Sequence, residues 1–399
     1  MSGKPILSGT FAALLMTAAC TGFDTPDNLE PVAQGDGYQA QYREPDVTRA
    51  QADLLKSARI NAEKCLPLGG SAGKGSSIAA SVLRGERLSR NDLLDVRIAE
   101  DDTFNGSYVV SRDGMLKLPF LRPIRAQGRS TDQVEADIAT ALLADDFYQE
   151  PPRISVRAAD FASISIGVSG AVFEPHAVEI GGVRGDTVDS LRQVASGAST
   201  EGRNLSAALR AAGGVRPDAD ISAVEVRRGG KTYRLDMRGV FEGKNTVDIM
   251  LLTGDEVRVP SRQCFQDDLM RPSPISPPGI SLFLSNLTQP ATNNAASAIG
   301  QTVRQVPYGS RYMQAVIDAN CVGGARSTSA NRSAVLFSRN PMTGVSVVIE
   351  RDIEDLLRRA DRDDYDPYLL PGDAMACYDS TVTNIAEIGR VLGVVAFSP

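Results

Sequence analysis

The sequence contains no tryptophan and only one histidine, His176, and these absences exclude several kinds of catalytic and metal-binding site. A single histidine cannot form a histidine-rich metal site, and "GVSGA" lacks the final glycine of a nucleophile elbow. In "GGSAGKGS" a glycine follows Lys74 where a phosphate-binding loop requires serine or threonine. We therefore predict no catalytic residues, no cofactor and no metal site. The protein is not expected to be an enzyme, and His176 is predicted to be a surface residue at a turn.

Positive charge is scarce as well. The chain carries 42 lysines and arginines against 49 aspartates and glutamates, which gives a formal net charge of −7 and a pI near 5.1. Proteins that bind nucleic acid usually carry a basic patch on a basic domain, so the composition argues against a nucleic-acid partner. The length of 399 residues predicts two to four compact units.

The chain begins with a short apolar run, "FAALLMTAAC", that stops at Cys20. This layout is typical of a secretory signal peptide and is too short for a membrane-spanning helix, which needs roughly 20 apolar residues. "TAAC" resembles the bacterial lipobox, although Thr17 stands where leucine is usual. We therefore predict that Cys20 is acylated and becomes the first residue of a lipoprotein in the periplasm. The alternative is a plain signal peptide with an incidental cysteine.

Four cysteines remain after Cys20, and none of them forms a C-x-x-C pair that would suggest zinc. An oxidising compartment permits two disulfides among four cysteines, with three possible connectivities. The sequence leaves the pairing open. The candidate disulfide cysteines are Cys65, Cys264, Cys321 and Cys377.

Alternating and helical patterns begin near residue 84, and part of the pattern repeats along the chain. "LLDVRI" predicts a strand, "STDQVEADIATALLADD" a capped helix and "AVEVRRGGKTYRLDM" a hairpin. "YMQAVIDANC", "AVLFSRNPMTGVSVVIE" and "LLPGDAMACYDS" repeat, in order, "LSAALRAAGG", that hairpin and "LLTGDEVRVPS". The second copy is predicted to be about ten residues longer, with the extra residues around "RRADRDDYDP".

These segments resemble the outer-membrane polysaccharide export family, the lipoproteins of capsule and exopolysaccharide translocons. "LSRNDLLDVRI" looks like the opening strand of that family, and "SYVVSRDGMLKLPFL" is similar to its hairpin. "VSGAVFEP" and the stretch from "ALRAAGGVRPDADISAVEVRRGG" to "LLTGDEVRVPS" resemble its soluble-ligand-binding β-grasp module. Asn91, Arg122 and Glu174-Pro175 depart from glycine or Pro-Gly in the family pattern, and we expect these departures to alter the turns locally.

The resemblance implies an α/β (α+β) fold with a polysaccharide export domain, two tandem soluble-ligand-binding β-grasp modules and a C-terminal amphipathic helix. The predicted divisions are a lipoprotein signal peptide (1–19), a tether and N-terminal segment (20–83), the export domain (84–160), the first β-grasp module (163–262), a Pro-rich linker (263–279), the second β-grasp module (280–380) and the helix (381–399).

The same resemblance implies a homo-oligomeric ring, typically an octamer, through whose periplasmic lumen the polysaccharide passes unaltered. Its expected partners are that polymer, an inner-membrane polysaccharide co-polymerase and, through acylated Cys20, outer-membrane lipid. Two alternatives are a monomeric periplasmic glycan-binding lipoprotein and a docking scaffold without a pore.

The C-terminal segment "STVTNIAEIGRVLGVVAFSP" carries an apolar stripe at helical spacing. Its candidate membrane-facing residues are Ile385, Ile388, Leu392 and Val395. A helix of roughly 16 residues rises about 24 Å against about 30 Å of hydrocarbon. The helix is therefore predicted either to line an outer-membrane pore or to pack on the second β-grasp copy or the membrane surface. The acidic cluster "DRDDYDP" is predicted to be a solvated insert, with cation binding or repulsion of an anionic polymer as alternatives.

Overall fold

The computed structural model describes residues 65–70, 83–181, 201–244, 246–286, 303–319, 321–322, 332–358 and 365–378. These residues fall into two compact units. The first unit contains the described residues up to Gly279 together with Pro307–Gly309, and the second contains those of Ile280–Val306 and from Ser310 onward. The fold is mixed α/β, as the sequence predicted.

The first unit begins with a small sheet that packs against a helix. Its elements are β1 (Leu93–Ile98), β2 (Gly106–Val109), β3 (Met115–Leu116), β4 (Ile124–Arg125), α1 (Thr131–Ala144) and β5 (Ile154–Asp160). The three-stranded sheet has the antiparallel order β2-β1-β5, and β3 pairs with β4. Leu94, Val96 and Ile98 alternate along β1 and are buried because one face of the strand meets the core.

Helix α1 begins where the sequence predicted a capping box. The hydroxyl of Ser130 accepts a hydrogen bond from the backbone N–H of Gln133, and the Gln133 side chain accepts one from the backbone N–H of Ser130. The box satisfies two backbone donors that the first turn of a helix otherwise leaves unpaired. One stripe of α1, formed by Val134, Ile138 and Leu142, is buried in the core of the small sheet.

A five-stranded sheet completes the first unit. Its elements are β6 (Ile164–Gly170), β7 (His176–Ile180), α2 (Leu205–Ala211), β8 (Val224–Arg228), β9 (Lys231–Leu235), α3 (Gly239–Glu242) and β10 (Glu256–Val259). The strand order is β7-β6-β10-β8-β9; β6 and β10 are parallel and every other pair is antiparallel. The buried stripe Leu205, Ala208 and Leu209 of α2 belongs to the core of this sheet. Short 3₁₀ turns lie at Glu201–Arg203 and Asp267–Leu269.

The second unit contains another five-stranded sheet with the same topology. Its elements are β11 (Ile280–Asn286), β12 (Val303–Val306), α4 (Tyr312–Asp318), β13 (Ser333–Arg339), β14 (Ser346–Asp352), α5 (Ile353–Arg358) and β15 (Ala374–Tyr378). The order β12-β11-β15-β13-β14 repeats that of the first sheet, and β11 and β15 are again the parallel pair. The repeat read from the sequence therefore corresponds to two sheets of equal strand order and direction. Their classification as tandem β-grasp modules, with the proposed boundaries, stays a prediction.

The extra residues of the second copy lie in a different place from the one predicted. Val226 pairs with Tyr233 in the first hairpin, whereas the residue at the corresponding register, Leu336, pairs with Ile349. Seven residue steps separate the first pair and thirteen the second, so the second hairpin is six residues longer. The prediction near residues 358–367 was therefore largely wrong, since the hairpin of β13 and β14 contains six of the roughly ten extra residues, four of them in its turn.

The turn at Asp113-Gly114 is present, but its flanking strands do not form the expected hairpin. Gly114 adopts a left-handed φ of 79°, and its N–H donates to the carbonyl of Ser111 at 2.8 Å. However, β2 pairs with β1, whereas β3 pairs with β4. The turn therefore redirects the chain from one sheet to another.

Candidate functional site

Three buried aspartates occupy equivalent turns, each directly before a strand. In "SRND", "LTGD" and "LPGD" the aspartates are Asp92, Asp255 and Asp373. Each carboxylate accepts the backbone N–H of the residue three positions earlier, at 2.6 Å for Asp92 and 2.8 Å for the other two. The residue before each aspartate is left-handed, with φ values of 68°, 91° and 87°. The turns thus share one geometry, which orders the chain as it enters β1, β10 and β15.

Asn91 occupies the left-handed position of the first turn, where the other two turns have glycine. Asparagine tolerates this conformation better than most residues. The expectation that the departure at Asn91 alters the turn is therefore wrong, since its backbone matches that of Gly254 and Gly372. Sequence reasoning noted the two Gly-Asp copies but missed their relation to "SRND"; a search for glycine or asparagine before aspartate at a strand start would have found it.

The first aspartate turn fastens the small sheet to the first five-stranded sheet. Arg203 Nη1 donates to Asp92 Oδ1 at 2.7 Å, and both side chains are fully buried. Burial raises the pKa of Asp92, and the Arg203 charge opposes this shift; burial likewise lowers the pKa of Arg203. Nearby, Ser89 Oγ donates to Thr253 Oγ1 at 2.9 Å and accepts the N–H of Thr253 at 3.1 Å. The residues that precede β1 and β10 are therefore directly connected.

The second and third turns differ in the partner of the aspartate. Arg228 donates through Nε and Nη2 to Asp255, with the shortest contact at 2.6 Å, and its Nη2 also donates to the carbonyl of Met250. At the equivalent register of β13 stands Ser338, which hydrogen-bonds Asp373. None of the ion pairs within the described ranges involves Asp373, and burial raises the pKa of Asp373 to about 7. At equivalent positions the first repeat thus has an aspartate in an ion pair with arginine, and the second has an aspartate hydrogen-bonded to serine.

The loop between β3 and β4, taken together with β4 as residues 117–125, presents an exposed aromatic ring and basic side chains. Phe120 is 78% exposed and adopts a left-handed φ of 60°, which costs a bulky residue about 1–3 kcal/mol. Lys117, Arg122 and Arg125 are exposed along this loop and β4, and Lys117 pairs with Asp113 at 3.0 Å. Strained backbone at an exposed aromatic residue is typical of a binding loop. We call residues 117–125 the Phe120 loop.

Two disulfides settle the cysteine pairing that the sequence left open. Cys65 is bonded to Cys264, and Cys321 to Cys377. The first bond joins the segment before β1 to the chain just after β10, and the second joins the end of α4 to β15.

Several predicted features lie wholly or partly outside the described residues. Cys20 and the stripe at Ile385, Ile388, Leu392 and Val395 are outside them, as is most of "DRDDYDP". Asp366, which is described, is buried and accepts the backbone N–H of Met313 at 2.7 Å, so this part of the cluster is a helix cap and not a solvated insert.

His176 is exposed at the start of β7, where its Nδ1 lies 2.6 Å from the carbonyl oxygen of Glu174. Across the described ranges, no group of three or more His, Cys, Asp or Glu side chains is arranged to hold a metal ion. Nor does any helix there combine the length and apolar character needed to cross a bilayer.

Comparison with known proteins supports the resemblance seen in the sequence. Residues 81–159 match the family described as polysaccharide biosynthesis/export protein. The chain is 29% identical over 184 residues to the EPS I polysaccharide export outer membrane protein EpsA of Ralstonia solanacearum. It is 26% identical over 183 residues to the protein of the same name in Ralstonia nicotianae. Each match covers 45% of this chain and 43% of the relative, so it spans less than half of either protein.

Proposed function

We propose, from the polysaccharide export match at residues 81–159, that the protein is an outer-membrane lipoprotein subunit of a ring-shaped translocon. The translocon would export capsular or extracellular polysaccharide across the periplasm and the outer membrane. The match of the domain that contains β1 to β5 is the observation that carries the proposal. The two relatives named as polysaccharide export outer membrane proteins support it.

A ring of identical copies is the assembly that the family resemblance implies. A head-to-tail association whose rotation closes gives a ring, and equal faces on successive copies enclose a lumen. The resemblance points to eight subunits. A hydrophilic polymer can pass through such a lumen without any bond being broken, so the proposed role requires no catalytic group.

The Phe120 loop offers the chemistry that a sugar polymer needs. An exposed aromatic face can pack against the apolar face of a sugar ring, and nearby arginine side chains can donate charge-assisted hydrogen bonds to carboxylates on the polymer. This local basic patch contrasts with the net charge of −7 of the chain. We therefore propose that the Phe120 loop contacts an acidic polysaccharide.

The proposed location is the outer membrane, with the folded units in the periplasm and the acyl chains on Cys20 in the lipid. The two disulfides suit an oxidising compartment. In this arrangement an inner-membrane polysaccharide co-polymerase is the docking partner, and the C-terminal stripe is the candidate contact with lipid.

A monomeric glycan-binding lipoprotein is the second candidate function, since the exposed Phe120 serves a binder as well as a channel. Native mass spectrometry of the acylated protein in detergent separates the two. A closed ring of defined mass supports export, whereas a monomer with measurable glycan affinity supports the binder.

Deletion of the protein provides the cellular test. We expect surface polysaccharide to be lost on deletion and restored by the wild-type protein, while Cys20→Ser abolishes labelling with palmitate and lowers export. A protein that stays monomeric at high concentration, together with unchanged surface polysaccharide in the deletion strain, would contradict the proposed function. A monomer whose deletion does abolish the surface polysaccharide would instead favour the docking scaffold.

A further inference from the structure

One face of the second five-stranded sheet carries a continuous apolar row across four strands. Val303 of β12 pairs with Phe283 of β11, Phe283 pairs with Ala374 of β15, and Ala374 pairs with Phe337 of β13. Val303, Phe283 and Phe337 are 48%, 46% and 43% exposed. We call these four residues the apolar row. Helix α4 lies on the opposite face, where Asp318 pairs with Arg304.

The first five-stranded sheet does not carry this apolar row at the equivalent positions of the same face. The corresponding row consists of Ala177, Gly167, Glu256 and Arg227, which are Cα partners in the same order. Glu256 and Arg227 form an exposed ion pair at 3.1 Å. Sheets with one solvated face normally carry polar residues there. Because the two sheets share topology and register, the apolar row of the second sheet is a specific difference and indicates a surface that something covers.

The segment after β15 is the occupant that connectivity favours. It leaves Tyr378 at the end of β15, the central strand of this sheet, four residues beyond Ala374. Four residues of strand extend about 13 Å, and the seven residue steps to Ile385 can span about 23 Å, so the segment can return over the face. The residues between Tyr378 and Ile385 are therefore long enough to reach the apolar row without any rearrangement of the sheet.

The dimensions of the two apolar surfaces also agree. Four neighbouring strands at about 4.8 Å spacing give a row about 14 Å long. The stripe from Ile385 to Val395 contains ten residue steps, which rise about 15 Å in a helix. Ile388 and Leu392 fall between these ends at helical spacing. A helix laid along the row therefore places its four apolar side chains over four strands.

We propose that, in water, the C-terminal stripe Ile385, Ile388, Leu392 and Val395 packs on the apolar row Val303, Phe283, Ala374 and Phe337. The packing removes both apolar surfaces from solvent, and burial of apolar area is favourable. It does not depend on the proposed export role. A stripe packed on the apolar row cannot contact lipid at the same time. The contact would therefore keep the C-terminal segment on the sheet until a bilayer binds the stripe instead.

The absence of tryptophan makes a direct test possible. Leu392→Trp is introduced into the chain from residue 20 onward with Cys20→Ser, which keeps the protein free of detergent. We expect the emission of this single indole to be blue-shifted relative to the urea-denatured protein. Phe337→Arg, which installs the residue that the first sheet has at this position, should shift the emission to the red, and Phe283→Ser should do the same.

Val345→Ser is the matched control, because Val345 is 59% exposed but lies in the turn between β13 and β14, outside the apolar row. It should leave the emission unchanged. Circular dichroism of every variant checks that the sheet persists. If Phe337→Arg perturbs the fold, Phe283→Ser alone decides the result.

Three outcomes would overturn the proposal. The first is emission of the parent protein that matches the denatured chain, and the second is a blue shift that neither row variant changes. The third is a blue shift that vanishes on dilution together with a dimer in light scattering, which would show that a second copy covers the apolar row.

Discussion

At the residue scale, Asp373 contacts a serine side chain where its counterpart Asp255 contacts an arginine. Ser338 stands where the first sheet has Arg228, and burial raises the pKa of Asp373 to about 7. An unfolded aspartate has a pKa near 3.9. Between these values the folded protein binds the proton that the unfolded chain has released. The contribution of Asp373 to stability therefore falls as pH rises from about 4 to 7 and stays lost above that.

We predict that Asp373→Asn removes this dependence. The asparagine keeps an acceptor for the N–H of Leu370 but carries no charge to desolvate. Thermal unfolding followed by circular dichroism should show the wild type losing stability from pH 5 to pH 8 by a few kcal/mol more than the variant does. Equal pH dependence in the two proteins would contradict the raised pKa. Asp255→Asn is the control, because it leaves Arg228 without its carboxylate and should destabilise at every pH.

The buried pair of Asp92 and Arg203 leads to a second prediction at this scale. Arg203→Met leaves Asp92 buried without its cation, and loss of one partner of a buried pair costs about 3–5 kcal/mol. Urea unfolding at pH 7 measures the loss. Arg227→Met, which breaks the exposed pair with Glu256, should change stability by less than about 1 kcal/mol. A similar small effect of both variants would show that the buried pair does not hold the first unit together.

At the scale of elements, the Phe120 loop combines backbone strain with exposure. We predict that Phe120→Gly raises the stability of the first unit by about 1 kcal/mol or more, since glycine adopts positive φ without strain. The same change should lower the affinity for the acidic polysaccharide and reduce export, because the aromatic face is lost. Calorimetric titration with purified polymer and an unfolding curve measure both effects.

Val109→Gly is the control for this loop, since Val109 is an exposed apolar residue of the first unit that lies in β2, outside the loop. Removing its side chain from a strand should reduce stability and leave polymer affinity unchanged. Polymer affinity that survives Phe120→Gly would argue against the loop as the sugar contact.

The elements with strong periodicity were predictable from the sequence. The capping box at Ser130 and Gln133, the strand Leu93–Ile98 and the hairpin turn at Gly229-Gly230 follow from local rules, and all three are confirmed. The apolar row was not predictable, because "AVLF" in β13 is a continuous apolar run that reads as a strand buried on both faces. Its exposed side appears only when the strand pairings identify Phe283 and Val303 as neighbours of this run.

The pairing of distant charges was also beyond the sequence. Asp92 and Arg203 are 111 positions apart, and no local pattern links a turn before β1 to a 3₁₀ turn before α2. The position of the extra residues in the second copy was mispredicted for a related reason, since only strand register shows which residues oppose each other.

At the scale of the whole molecule, the disulfide between Cys321 and Cys377 links the chain just after α4 to β15, across 56 positions in the sequence. We predict that Cys321→Ser with Cys377→Ser lowers the stability of the second unit by about 2–5 kcal/mol, as loss of a native disulfide typically does. Limited proteolysis should then cut the second unit before the first. The double variant Cys65→Ser with Cys264→Ser is the matched control and should reverse that order; unchanged digestion in both would contradict the prediction.

The bond between Cys65 and Cys264 has a mechanical consequence for an anchored protein. With acyl chains on Cys20, as proposed, 44 residues separate the lipid-bearing cysteine from Cys65, which the disulfide joins to the first unit at Cys264. The 45 residue steps from Cys20 to Cys65 limit the distance between these two cysteines to about 150 Å. Any tension from a moving polymer would enter the fold beside β10 and bypass residues 66–82. With Cys20 held in the bilayer, the first unit could not lie farther from the membrane than residues 21–64 allow, because the Cys65–Cys264 bond ties the next residue to the fold.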